Sequence, residues 1–376
     1  MKSMWRIFCF QTKKTLSSLL FWIGIIILSV ITIHEFYPYL TAYPAETEQQ
    51  IEQGRKDGRY YDYQIPLKGE ELYTYVLTYL ENTMIHDLKL SSDDVSKYMK
   101  EIRNKHMSYS EIEGYLSESS GAKIDIANTL ELITSRPANI TEYSQHVNKK
   151  LQQVHFSEYF ARKYGDLFTL YVLFAALVTL PFLFENDMKD NVSELLHSKP
   201  ISSWKYVLGK AFGADFAFII GIVIITAIIE ALLYLHCIKS NLPFDFINIW
   251  TYFIWWTVPS LIFSTFFLVA ISILFRTGIA AIPVYFAYLF ISSYPTYNSV
   301  GRVILSVKPW SLLIRISNNT ETFFGDLTEA FIQNVWINRI CIFSATIFCV
   351  LLAIYFYSQK GIKKSKGIIR FISRRN

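Results

Sequence analysis

A helix crosses the ~30 Å hydrocarbon layer of a bilayer with about 20 predominantly apolar residues. This sequence holds six such runs, one of them short: 16–33, 167–184, 212–235, 250–275, 279–293 and 337–357. No water-soluble core accommodates that many long apolar helices, so the expected fold is an all-α integral membrane protein with six spans. The bulk chemistry agrees. Hydrophobic residues make up 52% of the chain and charged residues only 18%, below the ~25% usual for soluble domains. Phe, Tyr and Trp reach 16%, as expected where aromatic belts mark the bilayer surfaces. The first run lacks a small-residue cleavage site and leads through HEFY to Pro38, so it reads as a span and not as a signal peptide.

Basic residues set the expected orientation. Lys2, Arg6, Lys13 and Lys14 precede the first span, and the tail 358–376 carries Lys360, Lys363, Lys364, Lys366, Arg370, Arg374 and Arg375. The positive-inside rule places both termini in the cytoplasm of a multi-pass plasma-membrane protein. Six crossings satisfy that parity. They put 34–166 outside, 185–211 inside, 276–278 inside and 294–336 outside, the sidedness of the long 34–166 segment resting on parity alone. Within 1–15, Met4, Trp5, Phe8 and Thr12 fall near one helical face. That spacing suits a cytoplasmic interfacial helix; the alternative is a plain basic flank.

The segment 34–166 reads as a mainly α extracellular domain. Leu72, Tyr75, Val76, Tyr79 and Leu80 repeat with helical spacing. Ser91-Ser92-Asp93 forms a cap ahead of Val95, Tyr98, Met99 and Ile102, and Ser108-Tyr109-Ser110-Glu111 a capping box ahead of Ile112, Tyr115 and Leu116. Ile65-Pro66 reads as a break, and Asn139–Tyr164 as one long helix feeding the second span. Asn139-Ile140-Thr141 also matches a glycosylation acceptor, a triplet common by chance. The histidines there, His86, His106, His146 and His155, have no i, i+4 partner, and the four cysteines of the chain form no C-x-x-C pair. No metal site is expected.

Between the second and third spans lies FENDMKDNVSELLHSKPISSWKYVLGK, 184–210. Asn191 is placed to cap a two-turn helix that aligns Val192, Leu195 and Leu196. Pro200 stops it, since proline disfavours the α conformation at its predecessor. Ser202 can cap the helix that enters the third span. A two-turn helix is marginal alone in water, so an apolar stripe on it invites a partner; an ordinary polar loop is the alternative.

Glu185, the Val192-Ser193-Glu194-Leu195-Leu196 run, Ser198-Lys199-Pro200-Ile201-Ser202 and Tyr206-Val207-Leu208-Gly209-Lys210 resemble the permease subunit of ABC-2 type transporters. The resemblance covers most of the chain as topology and about 25 residues as motif. Asp190-Asn191 depart from it where a glycine is usual, and the fifth span is weak. The resemblance implies that 185–211 carries a coupling helix that docks on a separate ABC ATP-binding subunit. It assigns coupling to Glu185, Val192, Glu194, Leu195, Leu196, Pro200, Ser202 and Lys210. It also implies a second permease subunit, identical or related, and short helices in 294–336 that dip into the outer leaflet. There Trp310, Leu312 and Leu313 would meet lipid and Arg302, Lys308 and Arg315 would point outward; a surface loop is the alternative.

The chain carries no G-x-x-x-x-G-K-[ST], H-E-x-x-H or G-x-S-x-G motif. No catalytic residue, cofactor or metal is expected on it, and Mg-ATP would bind the partner subunit. The basic tail is explained by topology and anionic membrane lipid, not by nucleic acid. Inside the spans, Asp215 lies near the inner edge and Glu230 deeper. Glu230 is expected either to face a substrate path or to pair with a cation such as Arg339. Pro259 and Pro283 are placed to bend the fourth and fifth spans, as a gate would require. The functional expectation is an exporter permease for an amphiphilic substrate: an antimicrobial peptide, a drug or a lipid-like molecule. A membrane sensor or immunity protein with a ligand-binding external domain is the rival.

Overall fold

The computed structural model describes residues 2–41, 45, 47–56, 63–120, 126, 130, 135–188, 201–294, 296–297, 303–305, 307–316, 323, 325 and 327–373. It describes two compact units: 1–60 with 146–376, and 61–145. The second is narrower than the 34–166 expected from the spans.

In the larger unit, α1 (Lys2–Leu16) is followed by α2 (Leu19–Thr41) and α3 (Glu48–Lys56). Five helical stretches are long and apolar enough to cross a membrane: Leu19–Leu40, Phe156–Met188, Ser203–Lys239, Ile247–Phe275 and Glu329–Gln359. They contain α8 (Phe156–Thr179), α9 (Ser203–Lys239), α10 (Ile247–Tyr252), α11 (Val258–Phe275) and the first part of α13 (Glu329–Ser373). The remaining apolar helix, α12 (Ala281–Ser293), has 13 residues. At 1.5 Å per residue it spans about 20 Å, well short of the hydrocarbon layer.

One glycine stripe fixes how α1 lies. A Cβ on Gly209 would come within 2.9 Å of the Met4 carbonyl oxygen, and one on Gly213 within 2.6 Å of that of Phe8. This Gly-x-x-x-Gly spacing lets two helix backbones approach. The Thr12 hydroxyl donates to the Gly213 carbonyl at 3.0 Å, and Gln11 and Thr12 are buried. α1 is thus a helix, as read, but its inward face is centred on Ile7, Gln11 and Thr12, while Trp5 stays 62% exposed. Farther along α9, Gly221 receives Ile25 and Phe21 of α2.

The smaller unit holds β1 (Gln64–Pro66), α4 (Gly69–His86), α5 (Ser92–Lys105), α6 (Tyr109–Ser120) and β2 (Ser135–Pro137). Its core is Val76, Leu77, Leu80 and Met84 of α4 against Val95, Met99, Ile102, Ile112 and Leu116. The α4 stripe is rotated from the expected one: Tyr75 and Tyr79 are exposed, because Leu77 and Met84 fill the interior instead. The expected caps form. Ser91 accepts from the Asp93 amide, and Glu111 accepts from the Ser108 amide at 2.7 Å. Ile65-Pro66 is not a break but part of β1, which pairs antiparallel with β2. Asn139 and Glu142 form a reciprocal capping box, at 2.9 Å each way, at the start of α7 (Ile140–Gln153). The Asn139 side chain is therefore engaged as a cap. The long helix read over Asn139–Tyr164 is in fact two, α7 and α8. His155 takes an extended conformation between them, φ −64° and ψ 148°, as the N-cap of α8.

Candidate functional site

The polar loop is rooted in a buried ionic cluster. After α8 the chain tightens into two short 3-10 turns, Leu180–Phe182 and Glu185–Met188. The second brings Asp187 inside. Its carboxylate accepts from Lys210 Nζ at 2.5 Å and from the Tyr206 hydroxyl at 3.0 Å. Both partners stand one helical turn apart on α9, so one carboxylate bridges the two ends of the loop. The side chains of Lys210 and Asp187 are 9% and 10% exposed. The ammonium also lies 4.9 Å from the centre of the Phe184 ring, a favourable placement for a desolvated cation. Tyr206 stacks on Tyr357 of α13 at 5.5 Å. Around this cluster Phe184, Val207, Ala270, Ile273, Ala353 and Tyr357 form one apolar core. The root therefore ties the turns after α8, the end of α11 and the middle of α13 to the start of α9.

Of the coupling residues read from sequence, the structure places three here. Lys210 is the ionic partner, Glu185 is half-buried on the 3-10 turn, and Ser202 is the N-cap of α9. Ser202 caps with its backbone alone: its carbonyl accepts the Lys205 and Tyr206 amides, and its side chain makes no cap bond. Val192, Glu194, Leu195, Leu196 and Pro200 lie outside the described residues. Asp187 and Tyr357 escaped the sequence reading. The signal for Asp187 was present: an acidic residue at the end of a span, facing a lysine at the start of the next.

The turn between α11 and α12 lies at the same end. A Cβ on Gly278 would sit 2.7 Å from the Pro181 carbonyl, and Arg276 adopts the left-handed conformation, φ 63°. With α1 seated on Gly209 and Gly213, the amino end, the two ends of the polar loop, the α11–α12 turn and Tyr357 gather at one end of the bundle.

A second buried network lies in the α10–α11–α13 part of the bundle. Phe253–Thr257 is a single π turn leading into α11. Pro259 follows it and has no N–H for the Trp255 carbonyl. Arg339 Nη1 donates to the carbonyls of Trp255 and Trp256, at 3.3 and 3.1 Å, and to Ser260 Oγ at 3.2 Å. Its Nε and Nη2 donate to Asn338 Oδ1 at 2.9 and 2.6 Å. The Asn338 amide in turn donates to the carbonyls of Lys308 and Ser311 at 2.7 and 2.9 Å. Ser260 Oγ donates to the Leu312 carbonyl at 2.7 Å. Arg339, only 6% exposed, is thus satisfied by the Asn338 and Ser260 side chains and by the Trp255 and Trp256 carbonyls, the first of which Pro259 leaves without its helical donor; this is how broken backbone is tolerated at membrane depth.

Five expectations change accordingly. Arg339 does not pair with Glu230, whose Oε2 accepts from Trp250 Nε1 at 2.9 Å. Leu312 and Leu313 are buried in protein, not set in lipid, although Trp310 is 54% exposed. Residues 307–316 form a turn and irregular chain, not short helices, because their carbonyls are taken by Asn338 and Ser260. Pro283 is the third residue of α12, where a missing N–H disturbs no helical bond, so it starts that helix and does not bend it. Asp215 is 2% exposed and accepts from the Thr265 hydroxyl, so it lies in the interior and not at a polar edge.

The comparisons with known proteins agree with this architecture. No curated protein and no solved structure gave a significant match. A family profile described as "ABC-2 family transporter protein" matches residues 28–355, from within α2 to the last turns of the crossing part of α13. The chain is a multi-pass membrane protein that belongs to the ABC-2 family of transporters.

Proposed function

We propose that this chain is the permease subunit of an ATP-driven exporter that moves an amphiphilic substrate out across the plasma membrane. A separate ABC ATPase binds Mg-ATP and docks on the loop 185–211. The family is a transmembrane transport component, and membership implies an ABC ATPase partner in general. The loop as the docking point rests on one observation: the Asp187–Lys210–Tyr206 cluster that clamps both ends of the loop onto the bundle. A handle transmits force only if its root is stiff. Here a push on 191–199 meets a buried ion pair that moves α8 and α9 together, and the α13 contact carries the movement to the last helix. Six spans with both termini cytoplasmic accord with the grouping of the amino end, the loop's two ends and the α11–α12 turn at one end. In that scheme α12 crosses with help from its flanking segments. Two permease copies would enclose the substrate path.

Co-purification with the ATPase subunit tests this. Leu195→Asp is expected to abolish the association while membrane insertion and yield are unchanged. A cysteine placed at Ser193 should resist membrane-impermeant labels added to intact cells. Labelling there from outside would overturn the scheme, and retained association of Leu195→Asp would remove the loop from the interface.

A further inference from the structure

We infer that the groove between α1 and α9 is a binding site for an anionic glycerophospholipid taken from the surrounding leaflet. The groove has a volume of about 440 Å³ and is lined by Trp5, Phe8, Cys9, Lys13, Leu16 and Phe216, among others. That volume falls within the range of small-ligand sites.

Its position selects an occupant from the bilayer. Phe216 belongs to a crossing helix and is 45% exposed, and Leu19 and Leu20, which open α2, are 75% and 78% exposed. Side chains of this kind on spanning helices face hydrocarbon, so the groove opens into the membrane and not into water. Its floor is aromatic. Trp5 stacks on Phe8 at 5.1 Å, and Phe8 meets Phe216 at 5.5 Å, a surface suited to an acyl chain. Its charge selects the headgroup. α1 carries Lys2, Arg6, Lys13 and Lys14 and no acidic residue, and the exposed Lys13 stands on the groove wall. A basic wall above an apolar floor complements a phosphate-bearing lipid with net negative charge, each lysine near such a surface contributing about 1 kcal/mol. The other side of α1 rests on Gly209 and Gly213, beside Lys210. A lipid in the groove therefore braces α1 against the turn of α9 that roots the polar loop.

The test uses the full-length chain with Cys341→Ser, in nanodiscs of phosphatidylcholine with or without phosphatidylglycerol. Lipids retained on release are counted by native mass spectrometry, and the rate of maleimide reaction at Cys9, exposed and on the groove wall, locates them. Phosphatidylglycerol should be retained about fivefold over phosphatidylcholine, the factor that ~1 kcal/mol corresponds to, and it should slow Cys9 alkylation. Lys13→Glu should remove both effects, and Lys239→Glu, at the far end of α9, neither. Equal retention of the two lipids, equal loss in both variants, or Cys9 protection that is independent of lipid charge would each overturn the site. Protection that instead rises with chain density, together with a Cys9–Cys9 cross-link, would assign the groove to a second copy and overturn it too. No ATPase enters the assay, so this outcome is separable from that of the transport reading.

Discussion

Removing Asp187 while leaving Lys210 in place strands a cation in the bundle. The Lys210 side chain is 9% exposed and its ammonium bonds the Asp187 carboxylate at 2.5 Å. Breaking a buried pair from one side costs about 3–5 kcal/mol. The Phe184 ring at 4.9 Å offsets roughly 0.5–2 kcal/mol of that, so Asp187→Leu should destabilise by about 2–4 kcal/mol. Lys210→Met should cost a similar amount, because the carboxylate then keeps only the Tyr206 hydroxyl. The double variant removes both charges and fills the space with apolar groups, a replacement often neutral for buried pairs. The two changes are therefore strongly non-additive, with an interaction energy of about 3 kcal/mol or more, at the upper end for residues in contact. The measurement is the apparent Tm of the detergent-solubilised chain together with the rate of tryptic cleavage in 189–200. Each single variant should lower Tm by on the order of 5 °C and speed cleavage, and the double should recover most of both. Additive effects, or single losses below about 0.5 kcal/mol, would refute the claim that this pair roots the loop.

Gly213→Val should detach α1, since a Cβ there already meets the Phe8 carbonyl at 2.6 Å; overpacking of this kind costs about 1–3 kcal/mol, and protease access to α1 reports it. Arg339→Met should cost about 2–4 kcal/mol by orphaning Asn338 Oδ1 and the Trp255 and Trp256 carbonyls. Pro259→Ala in the same chain should reduce that loss, because the new amide can bond the Trp255 carbonyl; a cycle of apparent Tm values checks it. In the smaller unit, Arg136 bonds Glu142 at 2.7 Å and Glu71 at 2.5 Å, and the guanidinium holds the Glu142 carboxyl down at about 2. A depressed carboxyl stabilises the folded state above its unfolded value and loses that contribution as pH falls from about 4.5 to about 2. The pair is partly exposed, so the amount is roughly 0.5–1 kcal/mol. The stability gap between wild type and Glu142→Gln should be present at pH 6 and gone near pH 2.

Length and hydropathy were enough to find the five long apolar helices, because the bilayer enforces an apolar run wherever a helix passes; the sixth expected span, 279–293, is the short α12. The caps at Ser91 and Ser108 were legible for a similar reason: they are satisfied within four residues. What eluded the sequence is satisfied at a distance. Lys210 is visible as a lysine beside a span, but its carboxylate partner stands across a loop and 23 positions away. Arg339 suggested an acidic partner, but its partners are the neutral side chains of Asn338 and Ser260 and two main-chain carbonyls, which no charge pattern reveals. The break at His155 left no proline or glycine mark. The rotation of α4 was masked by tyrosines, whose rings suit either an interior or a wet surface.

α1 precedes α2 in the chain, yet its tightest backbone contacts are with α9, at the two glycines that admit it. Whatever displaces α9 therefore carries the amino end as cargo. A fluorophore fused before Lys2 would ride with the third crossing helix and track its strokes without being attached to it.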